Sequence, residues 1–203
     1  MGKWFPAVYD FCMKPLERRQ FKKVRTELIS KAKGRVLEIG AGSGINFPYY
    51  LHQTQQVDAV EPDQQMLRRS ASAREKSGVP IKLHEAKAEK LPFADNTFDT
   101  VVATLVFCSV SDPWMALAEL ERVSKPGAQL LFFEHVRIHE HPFWAKVQDI
   151  LTPVWKKVCD GCHLNRETLH YVKNTDLSIK ETKAYYKGIF VTMECLNTKQ
   201  HEV

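Results

Sequence analysis

Val36-Leu37-Glu38-Ile39-Gly40-Ala41-Gly42-Ser43-Gly44 is an apolar run that enters a glycine turn. Glycines let a chain bend sharply and let a ligand approach the backbone without meeting a Cβ. The spacing is G-x-G-x-G, and Ile45 stands where a dinucleotide fingerprint wants its third glycine. A second run, Val57-Asp58-Ala59-Val60-Glu61-Pro62-Asp63, ends in acids. A carboxylate at the end of the strand after a glycine turn can accept hydrogen bonds from both ribose hydroxyls of an adenosine-bearing ligand. That is the role expected of Glu61. Asp63 is placed either to cap the following helix or to assist at the ribose. Met66 is placed to pack on an adenine ring or on the core.

Such residues need strands and helices to hold them. The first segment reads as helical from Trp4 to Ala32, with a break near Pro15. After Gly34 the pattern alternates: strands at 35–39, 57–60, 81–88 and 98–107, and helices starting at 45 and spanning 63–77. Gly78 is the expected end of the second helix. Another helix runs over 113–124 with Asp112 as its cap, and Lys125-Pro126-Gly127 turns the chain into a buried strand at 129–134. Alternation of this kind predicts a parallel sheet covered on both faces. Beyond Glu134, apolar residues from Phe143 to Val158 fall at helical spacing around Pro153, where a kink is expected. A short helix over 166–173 capped by Asn165 follows, and segments 177–186 and 189–196 straddle Gly188 as a hairpin.

Together with Ala88-Glu89-Lys90-Leu91-Pro92-Phe93, Asp95-Asn96-Thr97-Phe98-Asp99 and Glu121-Arg122-Val123-Ser124-Lys125-Pro126-Gly127, these motifs resemble the class I S-adenosylmethionine-dependent methyltransferases. The likeness is to the methyltransferase type 11 branch and covers about residues 36–134. It implies an α/β fold: a doubly wound, mostly parallel, Rossmann-like seven-stranded sheet ending in an antiparallel hairpin, with helices on both faces. The cofactor it implies is S-adenosyl-L-methionine, held by Glu38, Gly40, Ala41, Gly42, Gly44, Glu61, Pro62, Asp63, Met66, Ala88, Glu89 and Thr104. Ala88 would meet the adenine through its backbone and Glu89 through its side chain. Relatives often carry an acid before this alanine, where this chain has Lys87.

A closer likeness lies in the second half. Thr104-Leu105-Val106-Phe107-Cys108-Ser109-Val110, Phe132-Phe133-Glu134-His135-Val136 and Asp160-Gly161-Cys162-His163-Leu164-Asn165-Arg166-Glu167-Thr168 resemble the methyltransferase-like group that includes animal thiol methyltransferases. Its bacterial relatives are described as phospholipid methyltransferases. The animal members carry an N-terminal hydrophobic anchor that this sequence lacks, so the match implies the catalytic domain. The whole chain is read as one domain: a helical lid over 1–33, a cofactor core over 34–135 and acceptor-side helices with the hairpin over 136–203.

The acceptor expected is small and fairly hydrophobic, with a thiol favoured and an amine-bearing lipid headgroup as the alternative. A thiolate is a strong nucleophile near neutral pH, so alignment can carry most of the catalysis. His135, at the carboxyl end of a strand, is the candidate catalytic residue, to deprotonate or orient an acceptor, or else a histidine bonded to backbone. Tyr9 and Asp10 are candidates for the lid, and the aromatic-rich helix 143–155 for a wall of the acceptor pocket.

Other signals are weaker. Cys159-Asp160-Gly161-Cys162-His163 spells a c-type haem attachment pattern, but the N-terminus shows no apolar export stretch, and zinc would need two further ligands. No metal is expected. His135, His139 and His141 match no ligand set and read as incidental. Five cysteines, an odd number without an export signal, suit reduced thiols in the cytoplasm. The basic residues, including Lys22, Lys23 and Arg25, read as solvated helix faces within a net charge of +5. No Asn/Asp-Pro-Pro-aromatic tetrad follows the strand near Phe107, so a nucleic-acid substrate is not expected. No apolar run reaches membrane-span length, which leaves peripheral contact with a bilayer open. A nicotinamide oxidoreductase and a non-catalytic S-adenosylmethionine-binding module are the competing classes.

Overall fold

The apolar runs assemble, in a computed structural model described for residues 21–159 and 161–200, into one mixed sheet. Its strands are β1 (Gly34–Ile39), β2 (Thr54–Val60), β3 (Ile81–His84), β4 (Phe98–Thr104), β5 (Ser124–His135), β6 (Leu177–Tyr185) and β7 (Phe190–Asn197). They lie in the order β3-β2-β1-β4-β5-β7-β6. Pairing is parallel from β3 through β5, and β7 runs antiparallel to both of its neighbours. The chain winds outward from β1 to β3, then crosses back to β4 on the other side of β1. The carboxyl ends of β1 and β4 therefore flank a topological switch point, where folds of this kind open a ligand crevice.

Alternate residues along the central strands feed two cores. Leu37, Ile39, Val101, Ala103, Leu130 and Phe132 pack on one face. Val36, Val57, Val102, Leu131 and Phe133 pack on the other, beneath α1 (Lys22–Ile29). Burial on both faces is why these strands read as continuous apolar runs. The remaining helices are α2 (Gln64–Glu75), α3 (Pro113–Val123), α4 (Pro142–Val158) and α5 (Thr168–Lys173).

Several boundaries differ from the sequence expectation. The helix expected from residue 45 is a single 3-10 turn, Phe47–Tyr49, followed by extended Tyr50. The turn ends where Tyr50 takes an extended backbone; Pro48 stands in its first turn, where a missing amide hydrogen is tolerated. β3 stops at His84, short of residue 88, and β4 stops at Thr104 because Leu105 takes a left-handed backbone with φ of 57°. α2 ends at Glu75, before Gly78, on Lys76 in the right-handed region. α5 begins at Thr168, with Glu167 at its cap position. Asn165, the cap expected there, instead donates to the Asp149 carboxylate at 2.8 Å. Pro153 sits inside α4, which the structure assigns as one helix from end to end. Tyr9, Asp10, Pro15 and the first part of the segment expected to form a helical lid lie outside the described residues.

Asp112 caps α3 as expected, accepting from the Trp114 and Met115 amides at 3.0 and 3.1 Å. Asp112→Ala should lower the free energy of unfolding by about 1 kcal/mol, read from the midpoint of urea denaturation. An unchanged midpoint would show that the helix start is held by other contacts.

Candidate functional site

The glycine turn sits at the switch point. Gly40 and Gly42 have φ of 60° and 55°, the left-handed region that a side chain resists. A methyl group on Gly40 would run into the Val106 side chain from the loop after β4. A methyl group on Gly42 would meet only the Met66 Cε, at 3.5 Å, and a backbone oxygen at 4.0 Å. Gly40 is thus needed for packing, whereas the space beside Gly42 is of the kind a ligand fills. Ala41 donates its amide to the Val60 carbonyl at 3.1 Å, fixing the turn to the end of β2, and Gly44 donates to the Ala41 carbonyl at 2.9 Å.

Glu61 faces this turn. Its Oε2 accepts from the Gly42 amide and its Oε1 from the Asp63 amide, each at 3.0 Å. These bonds orient the carboxylate toward the glycine turn. Asp63 caps α2, accepting from the Met66 amide at 2.9 Å, which is the first of the two roles its position allowed. Pro62 is exposed. An open glycine edge beside an oriented carboxylate fits an adenosine-bearing group.

Behind the turn lies a buried polar network that the sequence did not reveal. Glu38, 1% exposed, accepts from the Asn46 side-chain amide at 2.9 Å and the Tyr50 hydroxyl at 2.7 Å. Thr104 Oγ1 accepts from Asn46 at 2.9 Å and from the Arg25 guanidinium at 2.7 Å, and Arg25 also donates to Asn46 Oδ1 at 2.8 Å. Burial raises the Glu38 carboxyl to about 7, against the pull of Tyr50, Asn46 and the Arg25 charge. The reading of Arg25 as a solvated charge is corrected: it is 2% exposed and its guanidinium also lies over the Phe133 ring. The signal was present in α1, where Val24, Arg25, Leu28 and Ile29 share the buried face.

On the expected adenine side, Ala88 is buried. The Glu89 Oε1 accepts from the Ser111 and Asp112 amides at 2.9 and 3.3 Å, so this carboxylate steadies the start of α3. Lys87 forms an isolated bridge with Lys90.

At the end of β5 two neighbouring side chains take opposite faces. Glu134, fully buried, accepts from the Val106 and Phe107 amides at 3.1 and 3.2 Å and so holds the loop that packs against Gly40. Burial raises its carboxyl to about 8. His135 lies on the α1 face, edge-on to Phe190 with centroids 5.3 Å apart. Its Nδ1 is buried and has no hydrogen-bond partner, and burial lowers the ring to about 4, so it is neutral at physiological pH. It is therefore not a histidine bonded to backbone through that nitrogen.

Beyond Glu134, Cys108 lies against Cys162, and the hydrogen bond between them together with burial pushes the Cys108 thiol well up. The His163 amide donates to the Cys108 carbonyl at 2.7 Å, and Arg166 donates to the Val110 carbonyl at 2.8 Å. Among the described residues, Cys108, Cys162 and Cys195 are thiols outside any disulfide. His139 pairs with Glu167 at 3.1 Å, and His141 occupies the cap position of α4, so the three histidines do not converge on one site. The expectation that helix 143–155 walls a pocket is corrected for most of its apolar residues. Ala145, Gln148 and Thr152 face the fold, while Phe143, Trp144, Ile150, Leu151 and Val154 face outward; Trp155 is half-buried and reaches Cys162.

Glu38 and Glu134 both sit above the ordinary carboxyl value of 4.5, so between there and about pH 8 the folded chain binds more protons than the unfolded one. Their contribution to stability falls as pH rises through that window. The lowered His135 acts in the opposite sense, but only below its ordinary 6.5. Glu134→Gln should therefore reduce the loss of Tm between about pH 6.5 and 8 in thermal scans of the ligand-free protein. An identical slope in both proteins would mean that Glu134 is ionised throughout.

A family model described as a methyltransferase domain matches residues 37–132. Thiol S-methyltransferase TMT1B of Rattus norvegicus is 32% identical over 195 residues, covering 88% of this chain and 80% of that protein. Phosphatidylethanolamine N-methyltransferase of Cereibacter sphaeroides is 31% identical over 141 residues, 68% of each chain. Among solved structures, a putative methyltransferase from Bacillus halodurans superposes with a TM-score of 0.72 at 14% identity, covering 89% of this chain and 99% of that one. That likeness bears on the fold, and the sequence relatives bear on the family. The chain belongs to the S-adenosylmethionine-dependent methyltransferases of the type 11 domain.

Proposed function

We propose that this enzyme methylates the sulfur of a small hydrophobic thiol. The observation that carries the reading is His135, an uncharged imidazole with an unpartnered buried nitrogen at the carboxyl end of β5. When bound, S-adenosylmethionine supplies an electrophilic methyl group on a sulfonium. In this reading Glu61 takes the ribose hydroxyls, the Gly40–Gly44 turn lets the ligand close on the backbone, and Ala88 and Glu89 border the adenine. Glu38, Asn46 and Thr104 keep the ends of β1 and β4 at a fixed separation around it.

A ring lowered to about 4 is a poor base for a thiol with an ordinary pKa near 8.5. The gap of about 4.5 units corresponds to roughly 6 kcal/mol against proton transfer. His135 therefore orients an acceptor that arrives as thiolate, and the leaving proton goes to solvent. The name of the rat relative supports sulfur as the acceptor atom. The bacterial relative's name favours a second reading, an amine-bearing phospholipid headgroup, for which a weak base is less suited because an ammonium must lose its proton first. The free thiols support a reducing, cytoplasmic setting. The division into lid, cofactor core and acceptor-side segment belongs to the same proposal.

The test is transfer of tritiated methyl groups to small alkyl thiols and to phosphatidylethanolamine in parallel. Label in a thioether supports the reading; label confined to the lipid overturns it in favour of the second. With a thiol, kcat/KM should rise through the pKa of the acceptor itself and shift when a thiol of different pKa is used. An inflection fixed near pH 6.5 and lost in His135→Ala would instead make the histidine a base. Glu61→Ala should weaken S-adenosylmethionine binding by about 2 kcal/mol, roughly 30-fold, in calorimetric titration. Unchanged affinity in a folded variant would move the ribose elsewhere.

A further inference from the structure

α4 carries three sectors where an ordinary surface helix carries two. Ala145, Gln148 and Thr152 turn toward the fold, and Gln148 bolts the helix down through the Ile138 amide at 2.9 Å and the Leu164 carbonyl at 3.0 Å. A second sector is apolar and faces outward: Phe143 is 71% exposed, Ile150 65% and Val154 66%, with Trp144 and Leu151 half exposed. The third holds Lys146 and Lys157 on the flank of the apolar face, with Lys156 beyond them. None of these lysines forms an ion pair with another described residue. An exposed apolar face of this size on a folded domain marks an interaction surface.

We infer that α4 is an interfacial helix that seats the protein on an anionic phospholipid bilayer. The apolar sector enters the acyl boundary while the adjacent lysines meet lipid phosphates, the arrangement that drives amphipathic helices onto membranes. Charge selects the occupant. The two unpaired cations beside the apolar face, Lys146 and Lys157, complement an anionic surface, and they would repel one another across a two-fold contact with a second copy of the same face. No helix among the described residues is long and apolar enough to cross a membrane, so the contact is peripheral. α4 begins a few residues after His135, and Trp155 near its end touches Cys162, so a docked helix would bring the acceptor side of the site close to the lipid. This inference does not depend on which atom is methylated.

The test is flotation of the full chain with vesicles of phosphatidylcholine containing 30% phosphatidylserine, and with pure phosphatidylcholine, using roughly physiological salt. Wild type should float with the anionic vesicles and much less with the neutral ones. Ile150→Ser/Val154→Ser should lower partitioning about tenfold or more, and Lys146→Gln and Lys157→Gln about fivefold each. Because these side chains point away from the fold, far-ultraviolet circular dichroism and S-adenosylmethionine affinity should stay at wild-type values, which separates this outcome from any failure of the methylation reading. Absence of flotation, equal binding to both vesicle types, or equal binding by the serine variant would overturn it. So would a wild-type dimer in analytical ultracentrifugation that the serine pair converts to monomer without vesicle binding.

Discussion

The structure turns on one constraint: an ionisable carboxylate, Glu38, is buried at the point where the sheet changes direction. A carboxyl group taken out of water has to be met by hydrogen bonds, and here they come from a network that draws on three separate segments. Asn46 and Tyr50 reach it directly, and Thr104 and Arg25 complete the set through Asn46. Those residues belong to the turn after β1, the end of β4 and α1. Satisfying one group thus fixes the relative positions of the elements that border the crevice. The cost of its burial shows in its raised pKa of about 7.

The two faces of the sheet then divide the work. On the α1 side, Glu38, Thr104 and His135 project from the ends of three neighbouring parallel strands. On the other side, Glu134 gathers the amides of Val106 and Phe107, and the Cys162–Arg166 segment docks onto the same loop. Val106 links the two, since its side chain occupies the space that a Cβ on Gly40 would need. A disturbance on the Glu134 side therefore reaches the glycine turn by packing alone. Such coupling between a buried acid and a ligand loop is a consequence of dense interiors.

Much of this was legible in the sequence, for identifiable reasons. The sheet with its terminal hairpin follows from apolar runs of strand length alternating with capped helices; Asp112 acts as the cap its position announced, and Asp63 caps its helix, one of the two roles its position left open. The glycine turn and Glu61 were legible because their chemistry is local and strand-terminal. Boundaries set by a single backbone conformation were not, as at left-handed Leu105, or at extended Tyr50, where an expected helix ends after one turn. Arg25 was misread because its charge outweighed its place on the buried side of α1. The outward face of α4 was also hidden, since an apolar stripe in sequence says that something covers it without saying whether that is the protein's own core.

The proposal at the centre of the account is the location of the cofactor: at the switch point, between the glycine turn and Glu61, with the adenine toward Ala88. Hydrogen–deuterium exchange followed by mass spectrometry, with and without S-adenosylmethionine, reads that location without relying on turnover. Amides of residues 40–44, 61–66 and 88–90 should exchange more slowly when the cofactor is present, and those of α4 should not change. Protection that falls outside the first three segments, with the glycine turn unaffected, would contradict the account.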